Sequence, residues 1–579
     1  MTFRELARVF QRIEETSARN ARTAILADLY ARVDAEEAVQ VTYLMQGRLV
    51  PKFVDLEFGV ADRLLLEAIN KAFGVDAQAV EAVFQECGDL GLTAENFTFG
   101  DEADLSVTTV FSRLRLVAEA EGPGSQDRKV EGVAALLRDL DPCSNRYLPR
   151  IPVSRLRLGV GDPTLMDALS VSRAGDKTDR RLIERAYNLT SDLGFVACEY
   201  LDGGVEALAE VGVRVGYPVR MAQAARMASG QEIIDKIGRA AIEPKLDGFR
   251  VQIHRDGDNV HIFSRNLEDM SAMFPDVSQA ARDQLLAARV IIEGEAMGLD
   301  RQTGAFLPFQ VTTSRRRLHN IDEAVEAIPL QVHVFDVLFD GEETIELPWR
   351  ERRARLESVI GDGNGLRVSD LIITADAEEV DAYFIQQVDA GFEGVMAKRL
   401  DSTYQAGQRN FNWIKYKASY SRALSDTLDC VLIGYWRGQG KRAAWGIGAL
   451  LSAVWDSDEQ VYKSIARIGT GYSDVEWVDI RKRLDEVSVV ECPQNVRSDI
   501  VPDVWVEPQI VVEVLADELT RSSMHVAGRT DHHPGLALRF PRVQNFVRED
   551  KDPTDATTVL EVQDMFSRQS SRISRTGIA

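Results

Sequence analysis

One lysine in this sequence stands where a covalent nucleophile would be built. In Glu243-Pro-Lys-Leu-Asp-Gly-Phe-Arg250 the residues Lys245, Asp247, Gly248 and Arg250 form the pattern KxDGxR, which fixes four residue types and arises by chance in about one chain in a few hundred. An ordinary turn between strands would also favour Asp-Gly. To attack, Lys245 must shed a proton, and from a reference pKa of about 10.4 that costs roughly 4.6 kcal/mol at pH 7. Neighbouring cations reduce the cost, because each disfavours a second positive charge beside it. Such a lysine suits attack on a phosphorus already crowded with cations.

Several later segments could serve it. Ile291-Ile-Glu-Gly-Glu295 puts Glu293 and Glu295 on one face if it is a strand, since alternate residues share a face, and paired carboxylates favour Mg2+. Either residue alone would more often be an exposed acidic edge. Val332-His-Val-Phe-Asp-Val-Leu-Phe339 reads mostly as core, with Phe335 placed to stack on a purine if a nucleotide binds nearby. Phe392-Glu-Gly-Val-Met-Ala-Lys398 repeats a carboxylate before glycine, at Glu393. Asn412-Trp-Ile-Lys-Tyr-Lys417 sets Trp413, Lys415 and Lys417 on one strand face, either a phosphate clamp or a lysine-guarded edge strand. Leu538-Arg-Phe-Pro-Arg-Val543 and Val547-Arg-Glu-Asp-Lys551 add a basic cluster including Arg539, Arg542 and Lys551.

The elements that must hold these residues divide the chain. Apolar residues at three- and four-residue intervals (Phe3, Leu6, Val9, Phe10, Ile13, then Ile25, Leu26, Leu29, Tyr30) predict helices, and the helical pattern recurs at 61–69, 130–140 and 180–193. An all-α domain is expected from residue 1 to about Gly216. After Tyr217-Pro218 the pattern turns to short alternating runs, with a hairpin at Asp256-Gly257 and strands at 290–296, 330–338, 394–398 and 413–417. That predicts a mixed α/β domain rich in antiparallel strands. Beyond Ser425, short strands with Gly-rich turns predict a small barrel or sandwich, then a helix near 560–566 and a mobile Ser/Arg-rich tail carrying Arg568, Arg572 and Arg575.

At 579 residues the chain is too long for one core. Its five cysteines are widely spaced, with no CxxC pair for zinc, and read as reduced thiols. No apolar run spans a bilayer and the first residues carry no signal-peptide core, so a cytoplasmic protein is expected, without membrane partners. With 68 basic and 91 acidic residues the net charge is −23, which opposes non-specific attraction to a phosphate backbone. Screening over about 8–10 Å makes the local patch matter more than the total.

Taken in order, KxDGxR, EGE, FD, EGVMAK, WIKYK and RFPR resemble the motif series of the covalent nucleotidyltransferases. The chain as a whole resembles the ATP-dependent DNA ligases of archaeal and eukaryotic replicative type. Gln46-Gly-Arg-Leu-Val-Pro51 and Arg548-Glu-Asp-Lys-Asp-Pro-Thr-Asp-Ala-Thr-Thr558 resemble that family specifically, and Leu246 stands where such motifs more often have Tyr or Val. The resemblance implies a multidomain fold: an all-α DNA-binding domain (1–216), an α+β adenylation domain (217–424), a C-terminal β-barrel OB-fold (425–566) and a flexible tail (567–579). It implies that Lys245 takes AMP from ATP, with Glu243 reading the adenine amino group, Phe335 stacking on the base and Arg250 meeting the ribose or the 3′ side of a nick. Arg265 and Arg409 would contact nucleotide or nick phosphate, and Lys415 with Lys417 the α-phosphate. Glu295 and Glu393 would position Mg2+, with Mn2+ as the alternative metal, and Arg539, Arg542 and Lys551 would orient pyrophosphate. The implied partner is nicked double-stranded DNA, sealed by a monomer in replication, repair and recombination, with recruitment by a sliding clamp left open. Two rivals are an NAD-dependent ligase, which would carry a cysteine zinc module, and a catalytically silent DNA-end scaffold.

Overall fold

The computed structural model describes residues 1–99, 104–317, 319–417, 427–438 and 440–574. They divide into two compact units: Met1–Ala225 with Lys236–Ala375 and Ala397–Ile414, and Arg226–Asp235 with Asp376–Met396 and Lys415–Ala579.

The first unit begins with helices α1 (Phe3–Glu15), α2 (Arg19–Tyr30), α3 (Ala35–Met45), α4 (Asp62–Phe73), α5 (Ala77–Cys87), α6 (Leu90–Phe97), α7 (Val107–Ala118), α8 (Ser125–Arg138), α9 (Pro142–Tyr147), α10 (Asp162–Ala174), α11 (Arg180–Thr190) and α12 (Leu193–Ala209). The predicted stripe of α1 is its buried face, with Phe3, Leu6, Phe10 and Ile13 fully enclosed.

A repeat lies inside this region. Leu56, Phe58, Gly59, Val60, Asp62, Leu65 and Ala68 recur as Leu156, Leu158, Gly159, Val160, Asp162, Leu165 and Ala168, and α4 and α10 both end on a left-handed glycine, Gly74 and Gly175. The two copies interlock. α2 packs on α10 and α8 packs on α4, while α1 meets α9 and α3 meets α7. The loops before α4 and α10 are each pinned by a cation from the other copy: Lys129 of α8 donates to the Phe58 carbonyl at 2.6 Å, and Arg22 of α2 to the Gly159 carbonyl at 3.1 Å. Equivalent N-caps, Thr2 and Ser106, pair across an antiparallel bridge, as residues beside a local twofold axis would.

Two sheets follow. Their strands are β1 (Gln223–Arg226), β2 (Ala240–Lys245), β3 (Phe249–Asp256), β4 (Asn259–Ser264), β5 (Arg289–Gly298), β6 (Leu330–Phe339), β7 (Leu366–Val368), β8 (Ile372–Thr374), β9 (Gly394–Arg399) and β10 (Arg409–Lys417). One sheet has the order β4-β3-β5-β6-β7 and the other β1-β10-β9-β2-β8. In the first, Val251, Ile253, Ile292, Val332 and Val334 bury one face with Phe274, Val277 and Ala281. The other face of β3 is polar and enclosed, and the segment entering from the helices is tied along it. The Gly216 N–H donates to His254 Nδ1 at 3.0 Å, the Val219 N–H to Gln252 Oε1 at 2.8 Å, and Arg250 Nη1 to the Ala222 carbonyl at 2.7 Å. Burial holds His254 neutral, with its pKa pushed down to about 3, in keeping with a ring nitrogen that accepts.

In the second unit β11 (Leu428–Trp436), β12 (Ala449–Asp456), β13 (Val461–Ile468), β14 (Ser488–Val489), β15 (Val496–Arg497), β16 (Val504–Val506), β17 (Val511–Leu515), β18 (Glu518–Ser522), β19 (Gly535–Arg539) and β20 (Arg542–Asn545) make a strand-rich domain. Its main sheet runs β14-β16-β11-β12-β13-β15, with β17 on β11 and β20 on β17, and β18 and β19 pair separately. Among the described residues no pairing closes this path into a full barrel. The helix Asp474–Glu486, capped by Ser473 and Glu476, seats Trp477, Ile480 and Leu484 in the core. The C-terminal helix spans Val559–Ser574, so it continues into the stretch expected to be a mobile tail from residue 567. Its sequence carries no glycine or proline before Gly577, so nothing local stops the helix sooner. Arg575 lies outside the described residues.

Candidate active site

Lys245 ends β2 and Arg250 is the second residue of β3, so the KxDGxR pattern spans the turn between these strands. Gly248 is dictated by space: a Cβ there would lie 2.4 Å from the Ala296 carbonyl oxygen. The same holds for Gly294 of EGE, whose Cβ would meet Val332 at 2.6 Å, and for Gly394 of EGVMAK, at 2.2 Å from the Tyr416 carbonyl oxygen. These glycines let backbones approach and thereby aim the charged residues beside them. Leu246 is buried, a packing position that other apolar residues could fill.

Glu293 and Glu295 do share a face of β5, yet their surroundings part them. Glu295 pairs in register with Arg250 and accepts the Gly248 N–H at 3.2 Å. Burial pushes its carboxyl up to about 7, against the pull of Lys245 and Arg250, and Asp247 adds to the rise. Glu293 is fully enclosed and fully engaged: Arg250 Nη2 and Tyr404 Oη donate to its Oε2 at 2.8 and 2.9 Å, and Gln252 Nε2 to its Oε1 at 3.1 Å. Tyr404 and Gln252 escaped the sequence reading, because both act through partners remote in sequence.

A second cluster gathers around Glu243. Its Oε2 meets Lys398 Nζ at 2.7 Å. Its buried Oε1 has no hydrogen-bond partner among the described residues, and Arg353 Nη1, at 4.0 Å, is too far for one. Burial pushes the Glu243 carboxyl up and the Lys398 ammonium down, and their contact opposes both shifts. Lys398 also donates to the Phe335 carbonyl at 3.0 Å and lies 4.7 and 4.5 Å from the ring centres of Phe335 and Trp413. Phe335 is half-buried and stands edge-on to Trp413. Beneath them Arg352 and Asp336 form an enclosed pair at 2.8 Å. Lys398 was legible only as the end of a motif; its pairing with Glu243 was not.

The other expected site residues lie as follows. Arg265 is exposed on the turn after β4. Arg409 opens β10 with Nη2 3.2 Å from Gln223 Oε1. In the second unit Lys415 and Lys417 lie on β10, and Lys417 pairs with Glu393 at 2.7 Å. Arg539 pairs with Glu518, Arg542 with Asp517 and Lys551 with Asp429, all within the strand-rich domain. No group of three or more potential metal ligands occurs among the described residues, and no described helix is long and apolar enough to cross a membrane.

Comparison with known proteins agrees with this layout. Residues 2–170 match the family model for the DNA ligase N terminus, residues 221–417 that for the ATP dependent DNA ligase domain and residues 443–551 that for the ATP dependent DNA ligase C terminal region. A probable DNA ligase of Dictyoglomus thermophilum is 50% identical over 570 residues, covering 98% of each chain. The DNA ligase of Aeropyrum pernix is 38% identical over 597 residues, covering 99% of each. Among solved structures, Pmar-Lig_PreS3 shares the fold at a TM-score of 0.54 and 16% identity, over 93% of this chain and 98% of that one. With a helical N-terminal region, a central adenylation domain and a strand-rich C-terminal domain in that order, the chain belongs to the ATP-dependent DNA ligase family.

Proposed function

We propose that the protein seals nicks in duplex DNA through a Lys245–AMP intermediate. The observation that carries this reading is the convergence of Lys245, Arg250 and a carboxyl pushed up to about 7, Glu295, around one tight turn. The Nζ lone pair of Lys245 attacks the α-phosphorus of ATP, its proton is lost, and the bond to pyrophosphate breaks. The nick's 5′-phosphate oxygen then attacks the adenylate phosphorus and releases Lys245. Finally the 3′-hydroxyl attacks the 5′-phosphorus, forming the phosphodiester and expelling AMP.

ATP fits the second cluster. An adenine amino group would satisfy the buried Glu243 Oε1, which accepts no hydrogen bond from the described residues, a lack that costs roughly 1–3 kcal/mol, and Phe335 offers a half-exposed ring for stacking. Magnesium fits Glu295, whose raised carboxyl beside Asp247 gains from an added cation; when bound it supplies Lewis-acid charge relief at phosphorus. Glu393, paired with Lys417 within the second unit, is likewise assigned to the metal. Lys415 and Lys417 are assigned to the α-phosphate, and Arg265 and Arg409 to nick or nucleotide phosphates. We read the C-terminal domain as an OB-fold whose Arg539, Arg542 and Lys551 orient the leaving pyrophosphate. In the helical region, the repeated loops 56–61 and 156–161 present two equivalent surfaces, a form suited to duplex DNA with its own local twofold symmetry. Replication, repair and recombination are the settings such sealing serves.

The test is intact mass after incubation with ATP and Mg2+. The wild type gains one adenylate and Lys245→Ala gains none. Equal gain by the variant, or no gain by the wild type, overturns the assignment.

A further inference from the structure

Tyr404 holds a position that the motif series does not explain. It is 4% exposed, and its hydroxyl closes a ring of four hydrogen bonds. The Ala222 N–H donates to Tyr404 Oη at 2.9 Å, Tyr404 Oη donates to Glu293 Oε2 at 2.9 Å, Arg250 Nη2 donates to the same oxygen at 2.8 Å, and Arg250 Nη1 returns to the Ala222 carbonyl at 2.7 Å. Arg250 therefore hangs from two anchors, a side chain of β5 and a backbone carbonyl of the incoming segment. The Tyr404 hydroxyl ties those two anchors directly to each other, alongside Gln252, whose Nε2 donates to the Val219 carbonyl and to Glu293 Oε1 further along the strap. Trp413 stands edge-on to the Tyr404 ring, 5.8 Å between centres, and keeps it in plane.

The loop that begins at Tyr404 then runs beside the same segment. The Gly407 N–H donates to the Arg220 carbonyl at 2.7 Å, the Gln223 N–H to the Gln408 carbonyl at 2.9 Å, and Arg409 reaches Gln223 Oε1. On the helical side, the Arg220 N–H donates to the Asn188 carbonyl at 2.7 Å, and its guanidinium lies over the Tyr187 ring and 3.6 Å from Asp162, at the start of α10. The strap 216–223 is thus bonded to the helices at one edge and to both Arg250 and Arg409 at the other.

We propose that Tyr404 is a positioning residue that sets Arg250 and Arg409 together for the nick by bolting this strap to Glu293. The inference rests on the nick-sealing reading above. Of the alternatives assigned to the two arginines (ribose or the 3′ side of the nick for Arg250, nucleotide or nick phosphate for Arg409) it takes the nick-side ones, and so predicts that loss of the hydroxyl falls on the DNA steps, since small misplacements of oriented groups are costly there.

The experiment compares wild type, Tyr404→Phe and, as a control for a lost buried hydroxyl, Tyr30→Phe, whose hydroxyl bonds Thr42 in the helical core. Each is assayed for adenylate formation by mass and for single-turnover sealing of a pre-adenylated nicked duplex at saturating DNA. For Tyr404→Phe the sealing rate constant falls by about tenfold to a hundredfold, while the KM for ATP in adenylate formation stays within about threefold. In an Arg250→Lys background the same substitution adds little, because two residues acting through one contact are not additive. Equal loss in both assays tracking a lowered melting temperature, as in Tyr30→Phe, would make Tyr404 a packing residue and overturn the proposal. So would full multiplication of the two effects. If the wild type seals no nick, the reading beneath fails; if it seals and Tyr404→Phe seals as fast, only the role of Tyr404 does.

Discussion

Buried charge is handled differently in the helical region and in the β3-β5-β6 sheet. In the helices Arg150, enclosed and 3% exposed at its side chain, meets Asp89 at 2.9 Å and Glu14 at 3.1 Å, and Asp89 also takes Arg157 and the N-cap bond from Leu92. The charges of this cluster answer one another within the fold. Across the sheet Glu293 is equally well answered, yet two residues along the same face Glu295 is raised to about 7, and on β2 the buried Glu243 Oε1 accepts no hydrogen bond from the described residues, with Arg353 Nη1 4.0 Å away. Charges closed on each other specify a shape; at the Glu243 and Glu295 carboxyls, burial leaves room for a bound group to improve on what the fold supplies.

Substitutions should separate the two regimes. Arg150→Met removes the enclosed cation shared by Asp89 and Glu14, which keep Arg157 and Arg146 respectively, and should cost about 1.5–3 kcal/mol of stability, read by chemical denaturation, with adenylate formation per folded molecule unchanged. A stability loss under 1 kcal/mol would erase the contrast. Glu295→Gln should leave stability intact at neutral pH but slow adenylate formation by about 10²–10³-fold; a variant that unfolds instead would return Glu295 to the structural class.

The pH dependence sharpens the same point. The carboxyl of Glu295 is raised in the folded protein above its ordinary 4.5, so its neutral form favours the fold. That contribution is complete below pH 4.5 and is lost as the pH rises through about 7. Relative to Glu295→Gln, the wild type should therefore lose unfolding free energy across this window, while its adenylate formation rises over the same range as the carboxylate becomes available. Parallel stability curves for the two proteins would refute the shift. The smallest effect concerns the repeat. Lys129→Met leaves the enclosed Phe58 carbonyl without its donor and should cost about 1–3 kcal/mol, and Arg22→Met, at the more exposed Gly159 carbonyl, about 0.5–1.5 kcal/mol. Equal costs in thermal denaturation would show that the two loops are equally buried in solution.

What was legible in the sequence follows the range of the interactions. Periodicity located α1, α4, α8 and α11, and the Asp256-Gly257 turn located the β3–β4 hairpin, because these depend on near neighbours. The face shared by Glu293 and Glu295 was legible for the same reason. Their different roles were not, since Tyr404 and the strap at Ala222 decide them from far along the chain. The Glu243–Lys398 pair was hidden likewise. The repeat of LxFGVxD as LxLGVGD was in plain view, and its signal was spacing rather than composition.

The crossed packing of α2 on α10 and α8 on α4 bears on how the protein is made. The first copy of the repeat leaves the ribosome with the apolar sides of α2 and α4 uncovered; α8, which covers α4, starts at residue 125 against 62, and α10, which covers α2, at 162 against 19. At roughly 5–20 residues per second that is a wait on the order of ten seconds. The nascent half must stay unaggregated through that interval, so slow codons or a bound chaperone would act most strongly between the two copies. A chain truncated there should be found by proteases as an unfolded one.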